Sequence, residues 1–311
     1  MTAPIPVILD TDIGFDVDDM WALAFLLRCP ELDLRLIVTE NGDTTYATRL
    51  VARLVELAGR TDIPIGIGIP LNSTPPHHAE WVDGYDLVDY PGEVHRDGVV
   101  ALIDTITASP EPLTVISIGP LPNIAAALQR APSIIDNSRF VGMHGSLRRG
   151  YLGADKPHRE YNVMTYPSAA RTVFESGWDL TITPLDTCGI VHLDGERFAQ
   201  LRASTDPLGQ ALIENHDLWC RNVEWIDQLG IDPATQSSTL YDTVAVYLAF
   251  AEDLLVMEEL PIAVTDSGRT IIDTSGHTVR CATEWRDLDA FTTLLADRLL
   301  DETESLMSHP H

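Results

Sequence analysis

Lysine is nearly missing from this 311-residue chain: Lys156 stands alone, and 20 basic residues in all face 47 acidic ones, a formal net charge of -27. Affinity for a phosphate backbone comes largely from neutralising its charge, so this balance excludes nucleic acid as a partner. Cysteine is scarce too. Cys29, Cys188, Cys220 and Cys281 are widely scattered with no CxxC spacing, which argues against a disulfide framework and for reduced, buried thiols in a cytosolic protein. No apolar run is long enough to cross a bilayer, and residues 1–6 show neither a basic n-region nor a cleavage site. The expectation is a cytoplasmic protein with no membrane partner. Hydrophobic residues make up 45 % of the chain, ample for a core, and this excludes disorder.

What the chain does have is alternation. Residues 6–9 form a short apolar run that ends in Asp10, Thr11 and Asp12; Gly14 follows, then an apolar stretch over 20–27. That is the pattern of buried strand, acidic turn and helix. A second strand over 34–39 leads through Asn41, Gly42 and Asp43 into a helix where Leu50, Val51, Leu54, Val55 and Leu57 recur at helical spacing. Residues 63–69 are β-like, and 72–92, with three prolines and two histidines, reads as a long loop. Further strands at 113–118 and 180–184 each end in polar or turn residues before a helix.

Strands alternating with helices predict an α/β fold, a mostly parallel central sheet flanked by helices, with the site at the carboxyl ends of the strands. β-like runs over 256–280, broken at Gly268 and Gly276, predict a small antiparallel edge near the C-terminus, covered by a helix over 288–300. No flexible linker or repeat interrupts the pattern. One domain over 1–305 is expected, with 306–311 as a disordered tail.

The most informative segment holds Asp10, Asp12, Asp16, Asp18 and Asp19, five carboxylates within ten residues between a strand and a helix. Capping the helix and complementing its dipole accounts for one or two of them. The others repel one another unless a cation is present. A carboxylate set without Cys or regularly spaced His favours Ca²⁺ or Mg²⁺ over zinc. The Glu that ends an EF-hand loop is missing, so that motif is excluded.

Residues 10–23, DTDIGFDVDDMWAL, resemble the N-terminal signature of the inosine-uridine nucleoside hydrolase family. GPLPN at 119–123 is similar to the family's GPLTN, EYN at 160–162 to its EFN, and YD at 241–242 to its His-Asp pair before a helix. The resemblance runs along essentially the whole chain. It implies a Rossmann-like nucleoside hydrolase fold, one Ca²⁺ per subunit, a homodimer or homotetramer, and hydrolysis of the N-glycosidic bond of a nucleoside through a metal-activated water. Carried over, Asp12, Asp19, Asp242 and the main-chain carbonyl of Pro122 hold the metal, and Asp12 is also the general base. Asp18, Asn162 and Asp242 take the ribose 2′- and 3′-hydroxyls and Glu160 the 5′-hydroxyl, carboxylates that also suit an oxocarbenium-like transition state. The acidic turn is two residues longer than the shorter family form, and the alignment sets the Asp-Asp pair on Asp18 and Asp19.

Several positions depart from the pattern. Ala154 replaces an Asn, Asp43 stands where many members have Asn, Asp83 where a His-Gly pair begins, His144 where Gly is common, and Tyr241 where a histidine is expected to protonate the leaving base. Tyr241, Asp83 and His144 are therefore the candidates for that proton, each also explicable as an ordinary packing or surface residue. Trp81, Trp219 and Trp225 lie in segments that would border the base, where stacking would hold it, although each is more readily explained as a core or surface anchor. Arg148, Arg149 and Lys156 read as a solvated basic loop, and His77 and His78 as loop surface. Two alternatives stand beside the hydrolase: the same chemistry on a modified or 5′-altered riboside, and a non-catalytic nucleoside-binding protein on the same fold.

Overall fold

Val7, Ile8 and Leu9 are wholly buried and form the middle of β1 (Ile5–Thr11), the strand around which the sheet is built. The computed structural model describes residues 3–300, so the expected tail and the end of the expected domain lie outside the described residues. After β1 come α1 (Asp18–Leu27), β2 (Leu32–Thr39), α2 (Thr44–Leu57), β3 (Ile65–Ile67), β4 (Val94–His95), α3 (Gly98–Ala108), β5 (Leu113–Ser117) and α4 (Pro122–Arg130). β6 (Ser138–Met143), α5 (Tyr161–Thr165), α6 (Pro167–Phe174), β7 (Leu180–Thr183), α7 (Leu185–Cys188), α8 (Gly195–Arg202), α9 (Pro207–Asn222) and α10 (Ile226–Leu229) follow. The described chain ends with α11 (Thr243–Leu248), β8 (Leu255–Val264), β9 (Thr270–Ile272), β10 (His277–Trp285) and α12 (Leu288–Leu300).

The strands form one sheet in the order β4-β3-β2-β1-β5-β6-β7-β10-β8-β9. Pairing is parallel from β4 through to β10, and β8 lies antiparallel between β10 and β9. Both faces are covered. Val7 and Leu9 join one apolar cluster with α1, α2, α9, α11 and α12, while Ile8 joins the other with α3, α4 and α6. Side chains alternate across a strand, so a strand buried on both faces must be apolar throughout, which is why 6–9 reads as a continuous run.

The site follows from this arrangement. β1 pairs with β2 on one side and β5 on the other, and the helices that follow β1 and β5 go to opposite faces. The carboxyl ends of β1 and β5 therefore part at a topological switch point, where parallel sheets place their ligand sites. Asn123, fully buried at the start of α4, ties this point together. Its Nδ2 donates to Asp10 Oδ1 at 2.8 Å and to the Thr39 carbonyl at 3.1 Å, and its Oδ1 accepts from the Ile69 N–H at 2.8 Å.

Two expectations need correction. The stretch over 72–92 is the expected irregular, largely exposed loop, with 3-10 turns at Ala79–Val82 and Leu87–Asp89, but His77 and His78 within it are buried rather than on its surface. His78 Nδ1 faces Asn215 Oδ1 at 3.1 Å and its Nε2 faces the Asp16 carbonyl at 3.3 Å, so partners remote in sequence pull the pair inward. Likewise α12 packs chiefly against α8, α1 and α9 rather than over the antiparallel edge. All four cysteines are free and buried.

Replacing Asn123 by Ala leaves the Ile69 N–H and one oxygen of Asp10 without their partner in a dry site. We expect Asn123→Ala to lower stability by about 3 kcal/mol, measured as a reduced midpoint in urea with an unchanged slope.

Candidate active site

Gly14 lets the chain turn sharply after β1: its φ is +117°, and a Cβ there would stand 2.7 Å from the Tyr46 ring. The turn separates the five aspartates into two roles. Asp10 points back among the strand ends, accepting from Asn123 and from Ser117 Oγ at 3.0 Å. Asp12, Asp16, Asp18 and Asp19 line a cavity of about 320 Å³, together with Asp242 and Glu160.

Each carboxylate is anchored by a different element. Asp12 Oδ2 accepts from Asn41 Nδ2 at 3.2 Å, Asp19 Oδ1 from Thr11 Oγ1 at 2.5 Å, and Asp18 Oδ2 from the Asp242 N–H at 3.3 Å. Asp18 and Asp19 open α1, where the helix dipole favours negative charge. Asp242 directly precedes α11. Asp18, Asp19 and Asp242 each bring a carboxylate oxygen within 4.8 Å of the others, close enough for one cation to bridge them.

Among the described residues, no Lys, Arg or His lines this cavity. Burial pushes Asp12 up to about 7, with Asp16 and Glu160 adding repulsion, and pushes Asp16 up to about 6. Asp18, Asp19 and Asp242 are also raised well above the ordinary carboxylate range, first by burial and then by nearby charge: Asp16 and Asp12 for Asp18, Asp12 and Asp18 for Asp19, and Asp18 and Asp19 for Asp242. Glu40, buried beneath, is also raised by burial and by Asp10 and Asp12, while its Oε1 accepts from the Leu121 N–H at 2.9 Å. Leu121 holds the left-handed conformation, φ +75°, which a non-glycine residue keeps only when its surroundings dictate it. This constrained residue sets Pro122 at the start of α4.

The opposite wall is built by α5 and its approach. Glu160 caps α5, accepting from the N–H groups of Asn162 at 2.6 Å, Gly145 at 2.9 Å and Val163 at 3.1 Å; burial nonetheless pushes it up to about 7. Asn162 commits its Nδ2 to the carbonyls of Ile118 and Met143, both at 3.0 Å, which leaves Oδ1 to accept from a hydroxyl. Aromatic rings close the remainder. Phe15 stacks on Tyr161 at 5.4 Å and tilts against Trp225 at 5.7 Å, and Tyr151 meets Tyr241 edge-on at 5.9 Å.

The cavity wall thus brings together Asp12, Asp18, Asp19, Glu160, Asn162, Trp225, Tyr241 and Asp242. Asp43, Asp83, His144 and Pro122 are not on it. Asp43 caps α2, accepting from the N–H groups of Thr45 and Tyr46, and Asn41, two residues earlier, is the side chain that reaches Asp12. Asp83 is exposed at the end of the Ala79–Val82 turn. His144 is buried, with Nε2 on the Gly119 carbonyl at 2.9 Å, and burial pushes it down to about 4.

Of the tryptophans, Trp219 and Trp225 line the cavity. Trp81 lies elsewhere, under the Arg53 guanidinium with its Nε1 donating to Glu214. Arg148 pairs with Glu258 and Arg149 with Asp155 on the surface. Phe15, Asn41, Tyr151 and Tyr161 were not singled out from the sequence; Phe15 and Asn41 sit in the two motif turns, a signal that could have flagged them.

Comparison with known proteins agrees with this architecture. The family described as inosine-uridine preferring nucleoside hydrolase matches residues 7–294. The non-specific ribonucleoside hydrolase RihC of Salmonella typhimurium is 31 % identical over 293 residues, covering 89 % of this chain and 90 % of that protein. The plant nucleoside hydrolase PpNRh1 superposes with a TM-score of 0.82 at 22 % identity over 96 % of this chain and 99 % of that one. A purine-preferring ribonucleoside hydrolase from Gardnerella vaginalis does so with a TM-score of 0.77 at 25 % identity over 94 % and 98 %. With four motifs in order, an acid-lined cavity at the switch point and a family match along nearly its whole length, the chain belongs to the inosine-uridine preferring nucleoside hydrolases, enzymes that hydrolyse N-glycosyl compounds.

Proposed function

We propose that this chain hydrolyses the N-glycosidic bond of a ribonucleoside to a free base and ribose, with Ca²⁺ as its cofactor. The observation that carries the reading is the buried cluster of Asp12, Asp18, Asp19 and Asp242 in a cavity lined, among the described residues, by no basic side chain. Buried charges need partners, and an all-oxygen set without Cys or His suits a hard cation. The family resemblance gives Asp12, Asp19, Asp242 and the Pro122 carbonyl as the residues that would hold it, whereas the carboxylates that approach within 4.8 Å of one another are Asp18, Asp19 and Asp242. When bound, the cation supplies Lewis acidity that eases deprotonation of a water and orients a diol.

The side chains do the rest. Asp12, oriented by Asn41, takes the proton of the attacking water. Asp18, Asp242 and Asn162 Oδ1 accept from the ribose 2′- and 3′-hydroxyls, and Glu160 accepts from the 5′-hydroxyl. As the base departs, positive charge grows on the ribose ring, and the surrounding carboxylates stabilise it. Trp225 packs on the base, and Tyr241, whose hydroxyl burial keeps protonated, faces the leaving group as a donor. The proposal includes one nucleoside hydrolase domain, a homodimer or homotetramer, and a cytoplasmic setting, which the four free thiols support.

Asp12→Ala is expected to lower kcat for ribose release from inosine or uridine by about 10²–10⁴-fold and to weaken Ca²⁺ binding in calorimetry. Turnover at the wild-type rate would refute the assignment of the base.

Stability should depend on pH through the same acids. In the chelated protein burial holds Asp10 and Asp16 at about 6 and Asp12 and Glu160 at about 7, against ordinary values of 3.8 and 4.5. A folded chain with raised carboxyl pKa values binds more protons than the unfolded chain, so this contribution is present at low pH and is lost as pH rises through 6 to 7. Buried His78, His144 and His216, pushed down to about 4 from 6.5, act in the opposite sense only between those values. Scanning calorimetry in chelator should therefore show Tm falling from pH 6 to pH 8, and added Ca²⁺ raising it most at pH 8.

A further inference from the structure

A buried polar group without a partner calls for an explanation, and where it lines a cavity a bound ligand is one. Glu40 Oε2 and Asn41 Oδ1, beside the acids, are buried and unpartnered, but neither residue lines the cavity. The wall built from α9, α10 and the segment leading to Tyr241 differs. Among the described residues lining the cavity, Trp219 Nε1 and Ser238 Oγ are buried polar atoms with no hydrogen-bond partner, and each residue is only 1 % exposed. Trp225, Leu229, Thr239 and Tyr241 line the same cavity.

An indole N–H can only donate, and a serine hydroxyl without a local acceptor is free to do so. Two orphan donors therefore stand in a dry wall whose charge is otherwise set by carboxylates. They suit an acceptor atom of a planar, neutral heterocycle, and repay their burial most when that heterocycle gains negative charge.

We propose that Trp219 Nε1–H and Ser238 Oγ–H recognise the acceptor edge of the nucleobase and stabilise it as the leaving group. This rests on the reading of the cavity as a ribonucleoside site. In the reaction the C1′–O bond to water forms and the C1′–N bond breaks, with the electron pair passing to the base. The water proton goes to Asp12, the departing base carries its charge against the two donors, and it takes its proton from solvent on release. The substrate class is a riboside whose base offers ring-nitrogen or carbonyl acceptors. The two donors act beside Tyr241 at the leaving group, where the family resemblance implies a histidine acid.

The test separates binding from turnover. Formycin B, a C-linked isostere of inosine with no N-glycosidic bond to break, is titrated calorimetrically into the Ca²⁺-loaded wild type, Trp219→Phe and Ser238→Ala. Trp219→Phe keeps an aromatic ring and loses the N–H; Ser238→Ala is the smaller change if the first variant fails to fold. Each is expected to bind about tenfold more weakly. Each is also expected to lose about 10²-fold in kcat/KM on inosine, with a loss about tenfold smaller on 4-nitrophenyl riboside, whose phenolate needs no donor. Wild-type affinity in both variants, equal losses on both substrates, or no binding of formycin B by the wild type would overturn the proposal. Absence of sugar release by a wild type that binds formycin B through these residues would instead overturn the hydrolase reading and leave base recognition standing.

Discussion

Like charges buried together at the end of one strand are the constraint on which the rest of this structure depends. Asp10, Asp12, Asp18, Asp19, Glu40 and Asp242 are all buried, and burial raises every one of their pKa values. A group of acids in a low-dielectric setting is tolerated only where each has hydrogen-bond donors and where a cation can offset the remaining charge. The donors come from far along the chain: Asn41 for Asp12, Ser117 and Asn123 for Asp10, and the Leu121 N–H for Glu40. The contorted backbone at Leu121 and the sharp turn at Gly14 belong to the same solution.

The parallel sheet makes that convergence possible. β1, β2 and β5 lie side by side and end together, so polar residues after each strand meet without a long insertion. Helices on both faces keep water from the sheet and leave the switch point as the way in. Asp242 and Glu160 then complete the cavity from α11 and α5, as the residues preceding those helices.

Much of this was legible in the sequence, for physical reasons that differ between elements. β1 is apolar over residues 6–9 because both its faces are buried, and β2, β5 and β7 are apolar enough to be read as strands although they carry Asp33, Arg35 and several threonines; five acids in ten residues had no ordinary structural explanation. The neighbours in a turn were harder to tell apart. Asn41 and Asp43 are two polar residues of one turn, and nothing local decides that the first reaches the cavity while the second caps α2. Burial imposed from afar was also hidden: His77 and His78 look like loop surface until Phe15, Trp225 and Asn215 are brought beside them. Trp81 and Trp219 are the same residue type with opposite fates, one between Arg53 of α2 and Glu214 of α9 and the other, itself on α9, on the cavity wall, because tertiary packing decides which neighbour each meets.

The central claim is that Asp12, Asp19 and Asp242 share one cation at the carboxyl end of β1. The most direct measurement is a crystal structure of the protein grown with Ca²⁺. The account predicts one ion bound by oxygens of Asp12, Asp19 and Asp242 at about 2.3–2.6 Å, with the Pro122 carbonyl completing the set. An ion elsewhere on the molecule, or a Ca²⁺-saturated protein with these three carboxylates unbridged, would contradict it.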